Sequence, residues 1–129
     1  MLNRLSPVWL ALVVAIVTLG CGIASSPVAP PAAPSALVAT AASSSQINLG
    51  WMDNSSDEDG FKIERCQGAG CTSFVQIGQT GPNNTSYLDS GLAGGTTYLY
   101  RVRAFNSGGN SAYSKIGRAS CRERVYVLV

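Results

Sequence analysis

The chain has 129 residues, with nine Lys and Arg against seven Asp and Glu, a net charge of +2 and no histidine. That length fits one domain, and the missing imidazole excludes Ser-His-Asp and Cys-His catalysis within the chain and removes the commonest neutral metal ligand. From Ser35 to Ser114 the four cations Lys62, Arg65, Arg101 and Arg103 face six carboxylates, a net −2, so a nucleic-acid partner finds no basic patch there.

The first segment, residues 1–21, reads MLNRLSPVWLALVVAIVTLGC. It has a cation at Arg4, an apolar stretch from Val8 to Leu19 and a small residue before Cys21. The apolar stretch is shorter than the roughly 20 residues a membrane-spanning helix needs; the pattern is that of a secretory signal peptide. TLGC resembles the lipobox of bacterial lipoproteins, although Thr18 stands where Leu is usual and Leu19 follows it. The resemblance implies cleavage before Cys21 and lipidation of its thiol, anchoring the chain to the bacterial cell envelope. The alternative is cleavage between Ala24 and Ser25 and plain secretion.

Residues 22–36 hold four of the six prolines among Ala and Ser. Such a segment predicts an extended, solvated linker of about 3.1 Å per residue where it adopts polyproline II.

From Leu37 the pattern becomes short alternating runs between turn residues. QINLGW places Ile47, Leu49 and Trp51 on one face. FKIER places Phe61 and Ile63 inward, with Lys62 and Glu64 outside. TYLYRVRAF sets Tyr98, Tyr100, Val102 and Ala104 inward and Arg101 and Arg103 toward water. Weaker strands are ALVATAA, SFVQIG, TSYLD and the start of NSAYS. Period-two alternation with turn signals about every ten residues predicts an all-β, seven-stranded antiparallel β-sandwich over residues 37–114.

These runs resemble a fibronectin type III domain, the immunoglobulin-like sandwich. Trp51 matches the core tryptophan of its second strand, DEDGFKIER the bacterial form of the approach to its third, and LAGGTTYLYRVRAFNSGGNSAYS its strongest signature. Leu92 and Tyr98 match the tyrosine corner, which implies a phenolic hydroxyl bonded to upstream backbone. No Cys stands on the Trp51 or Tyr98 strand, which separates the chain from disulfide-bridged immunoglobulin domains. The resemblance implies a non-catalytic spacer or presenting module for further domains, since bacterial members are often attached to secreted enzymes acting on polysaccharides. A stand-alone binding module for glycan or protein is the second reading, with Phe105 and Tyr113 as its candidate exposed surface.

Cys66 and Cys71 frame CQGAGC and face each other across a glycine-rich hairpin. In an exported protein they are expected as a disulfide, which stabilises by on the order of 2 kcal/mol for so short a loop. A zinc site there lacks its four ligands. DNSSDEDG, Asp53 to Gly60, has the spacing that opens an EF-hand loop, but Cys66 occupies the position of the bidentate Glu. A solvated loop is expected, not a cation site. Its adjacent carboxylates cannot flank a sugar as a glycosidase pair does. No cofactor, metal or catalytic residue is therefore expected.

The segment 115–129 breaks character, with Arg118, Arg122 and Arg124 around Cys121 and then an apolar run. Residues 116–129 resemble a sequencing adapter read in one frame, the first ten agreeing consecutively. On that reading the tail is foreign, and the last strand, starting near Asn110, is incomplete and frayed beyond Ser114.

Overall fold

A computed structural model describes residues 26–123. The signal peptide, the lipidation expected at Cys21, and the residues after Glu123 lie outside the described residues.

Eight strands follow in chain order among the described residues: β1 Ser35–Ala41, β2 Ile47–Met52, β3 Gly60–Gln67, β4 Val75–Thr80, β5 Ser86–Asp89, β6 Thr97–Asn106, β7 Gly109–Asn110 and β8 Gly117–Ser120. They form two sheets. One is ordered β1-β2-β5; the other is ordered β4-β3-β6, with β7 and β8 both pairing along the free side of β6. Every pairing is antiparallel.

Alternation builds the core, because side chains two apart on a strand share a face. Ile47, Leu49 and Trp51 from one sheet meet Phe61, Ile63, Tyr98, Tyr100, Val102 and Ala104 from the other, closed at one end by Leu92. The Trp51 and Phe61 rings pack edge to face, with centroids 5.5 Å apart, a favoured arrangement for aromatic quadrupoles. Gly78 meets the Tyr87 ring so closely that a β-carbon there would collide with the phenol. Tyr87 Oη donates to Ile77 O at 3.2 Å, and so ties β5 to β4 across the sandwich.

The seventh strand of the expected sandwich is present as two pieces, β7 and β8, joined by a run without regular ladder pairing. Two serines bridge the interruption. Ser111 N–H donates to Ala104 O and Ser114 N–H to Val102 O, each at 2.8 Å. In return Ser111 Oγ accepts from Ala104 N–H at 2.9 Å and Ser114 Oγ from Val102 N–H at 3.1 Å. The hydroxyls take the place of ladder carbonyls, so β6 keeps its backbone groups satisfied.

The chain does not fray at Ser114. Residues of the segment set apart at 115–129 supply β8, paired from Thr97↔Ser120 to Tyr100↔Gly117. The reason is local: Gly117 and Cys121 are buried and Ala119 is half-buried, while Arg118, Ser120 and Arg122 face water. That is a strand alternation with small inward residues. Gly117 lies against Leu37 of β1, where an added β-carbon would sit 3.0 Å from the leucine. The folded unit thus runs from Ser35 to Ser120, wider than 37–114. The linker is also shorter than expected. Pro31 and Pro34 are buried, Asn106 Nδ2 donates to Ala29 O at 3.0 Å and Asn54 Nδ2 to Ala33 O at 2.9 Å.

Candidate functional site

At the tyrosine corner Ala93 N–H donates to Tyr98 Oη at 3.0 Å, with Tyr98 and Leu92 both buried. Cys66 and Cys71 are bonded, their Cα atoms 5.9 Å apart, and Cys66 is buried. The bridge ties the end of β3 to the loop leading toward Phe74 and β4.

Phe105 and Tyr113, expected as exposed aromatics, are half-buried, because cations cover their rings. Lys62 Nζ lies 4.9 Å from the Phe105 centroid, and the Arg103 guanidinium 4.7 Å from that of Tyr113. Arg101 stands 3.8 Å from Tyr113 and 4.3 Å from Phe74. The strand registers explain the gathering. Lys62↔Arg103 and Glu64↔Arg101 are direct partners between β3 and β6, so all four side chains share the outer face of the larger sheet.

Glu64 was expected outside and is instead 95% covered, its carboxylate lying under this stack. Arg101 donates to Glu64 Oε1 from Nε at 3.2 Å and Nη2 at 2.8 Å, while Arg103 Nε stands 3.7 Å from Oε2. Burial alone would raise the Glu64 pKa, but the Tyr113 hydroxyl and the two guanidiniums outweigh it and hold the carboxyl below its ordinary 4.5. Burial and the same carboxylate push the Tyr113 hydroxyl up. The alternation in β3 and β6 marked this face; only the register reveals that Arg101 and Arg103 share one carboxylate.

A second polar cluster lies inside the sandwich, and sequence reasoning missed it. Arg65 Nη1 donates to Asp89 Oδ1 and Oδ2 at 2.9 and 3.0 Å, and Tyr100 Oη donates to Oδ2 at 2.7 Å. Asp89 belongs to the smaller sheet and its two partners to the larger, so the cluster joins the layers. Burial and the Asp89 carboxylate push the Tyr100 hydroxyl far up. Cys121, a free thiol, is buried beside it, and burial with Asp89 nearby pushes the thiol up. A thiol so placed is protonated and packs as a small hydrophobe.

The Asp53–Gly60 loop is not simply solvated. Ser55 N–H donates to Asp53 Oδ1 at 2.9 Å, and Asn83 N–H donates to Oε1 of the buried Glu58 at 3.0 Å. Its own backbone N–H, opposed by burial and joined by that of Asn83, holds Glu58 below its ordinary pKa. The loop is a folded connection that docks on the turn after β4. Among the described residues no three His, Cys, Asp or Glu side chains are grouped to hold a metal.

Two antiparallel sheets, a tyrosine corner and no inter-sheet disulfide among the described residues define an immunoglobulin-like sandwich of the fibronectin type III class. The model of that family, the fibronectin type III domain, matches residues 32–119. The chain belongs to the fibronectin type III family. It is 36% identical over 104 residues to an alpha-amylase of Niallia circulans, an alignment that covers 77% of this chain and 7% of the enzyme. Among solved structures it resembles an Fn3-like protein from Clostridium thermocellum at 25% identity and a TM-score of 0.61, covering 76% of this chain and 100% of that one. It also resembles domains A168–A170 of titin at 26% identity and a TM-score of 0.64, covering 73% and 33% of the two chains.

Proposed function

We propose that this chain is the envelope-proximal part of an exported bacterial protein, anchored through lipidated Cys21, whose fibronectin type III domain is a non-catalytic spacer presenting further domains. The observation that carries this reading is the match to a stretch that makes up 7% of a far longer alpha-amylase. A segment of that size has the length of one module within a longer enzyme. The fate of the carboxylates supports the same reading. Glu64 is engaged by Arg101, Asp89 by Arg65 and Tyr100, and Glu58 by Asn83. Groups committed to such bonds are structural and are not poised for acid–base work.

Two experiments test it. Expressed with its leader in a bacterial host, the chain is expected in the membrane fraction, and a Cys21→Ala variant is not; equal partitioning of the two removes the anchor. The purified chain is expected to leave starch and other polysaccharides intact. Hydrolysis that follows the protein through purification would overturn the spacer role.

A further inference from the structure

We infer that the outer face of the larger sheet is a binding track for an acidic polysaccharide, with Arg103 and Lys62 as its carboxylate contacts. This adds a ligand to the module and does not depend on the spacer role.

The first argument is a charge surplus. Lys62, Arg101 and Arg103 share the face with one carboxylate, Glu64, whose Oε1 accepts both hydrogen bonds from Arg101. Lys62 and Arg103 stand directly opposite each other in the ladder, an arrangement in which like charges repel. Lys62 has the neutral amide of Asn110 as its hydrogen-bond partner, at 2.9 Å. Arg103 has only the 3.7 Å approach of Nε to Glu64, and that buried Nε makes no hydrogen bond. The Arg103 side chain is still 26% exposed, so an anionic ligand would meet its outward part and offset the repulsion with Lys62.

The second argument is preorganisation. Each cation is fixed against a ring, Lys62 on Phe105, Arg103 on Tyr113 and Arg101 between Tyr113 and Phe74. A guanidinium already held flat loses little freedom when it takes a carboxylate in its planar fork.

The third is extent. The register places Lys62 and Arg103 in one row and Arg101 in the next on the same face. Rows on one face repeat about every 6.8 Å along a strand, so the cations are spaced for successive carboxylates of a chain and not for one small anion. At the other end the acidic loop closes the track: Asp59 N–H donates to Phe105 O at 2.7 Å and Asn106 Nδ2 donates to Asp57 O at 3.2 Å. That loop and the net −2 from Ser35 to Ser114 oppose a dense polyphosphate. A chain of spaced carboxylates fits better, with the ring edges between the cations meeting the C–H surface of its sugars.

The test is titration of the purified full chain against polygalacturonate at low salt, with soluble starch, polyglutamate and duplex DNA in parallel. Salt-sensitive binding to polygalacturonate is expected, with none to starch. Lys62→Gln/Arg103→Gln is expected to weaken binding by about tenfold or more, the size of a lost charge-assisted contact. Thermal melting checks that the variant is folded, and Lys62→Gln alone, which leaves the Tyr113 stack intact, serves if it is not. No binding to polygalacturonate, equal binding to polyglutamate or DNA, or unchanged affinity in the folded variant would each overturn the proposal.

Discussion

Asp89 illustrates how single residues hold the two layers together. Its carboxylate is 95% covered and takes bonds from Arg65 and Tyr100, so the sheets are pinned by charge-assisted bonds as well as by apolar contact. Tyr100→Phe removes one donor and leaves Asp89 Oδ2 with Arg65 alone. The expected loss is about 1–3 kcal/mol in chemical denaturation, with no change of fold; a midpoint equal to that of the parent chain would show the bond to be neutral. Glu64 makes a pH-dependent counterpart. Its folded pKa lies below the ordinary 4.5, so its contribution is full above that value and is lost as the pH falls through the folded pKa. Glu58 adds to the same window with the same sign. Thermal stability is therefore expected to hold from neutral pH to about 5 and to fall below 4.5. Glu64→Gln is expected to flatten part of that fall, and an unchanged profile would mean that other carboxylates govern it. Neither residue could be assigned this role from sequence. The alternation in FKIER put Glu64 outside correctly as to face, but burial on that face depends on Tyr113, Arg101 and Arg103, which arrive from elsewhere in the chain.

The elements show where reading residues in order succeeds and where it stops. Strands β2, β3 and β6 were legible because each has one face to bury, and a one-residue slip would expose it. The two-piece final strand was not legible. Ser111 and Ser114 look like loop residues, yet their hydroxyls stand in for carbonyls, and the Gly117, Ala119, Cys121 alternation was masked by the change in charge around it. Whatever the origin of that segment, β8 covers the free side of Thr97–Tyr100. Removing residues 115–129 is expected to lower the melting temperature by several degrees or more, since it strips ladder bonds from β6 and uncovers core around Cys121. An unchanged melting temperature would make β8 dispensable. In the same row of that sheet, where Leu99 stands between Cys66 and Arg118, the Cys66–Cys71 bridge closes a five-residue separation. Its reduction is expected to cost about 2 kcal/mol without unfolding the domain; loss of all cooperative unfolding on reduction would show the bridge to be essential.

For the whole molecule, totals concealed what registers reveal. A net −2 from Ser35 to Ser114 argued against any basic surface, yet the ladder collects three cations on one face while several carboxylates are drawn into one loop. The fold was readable except for its final strand, because its signature is a pattern of burial. The three-cation face was not, because it depends on which outward residues become neighbours. The central claim is that this domain is one module of a longer exported protein. It is tested most directly by reading the genomic frame of the source organism across codons 110–129 from fresh template, without sequencing adapters. The frame is expected to run past this region into sequence encoding a further domain. A stop codon directly after Val129 in the genome would contradict it, leaving one small domain with nothing to present.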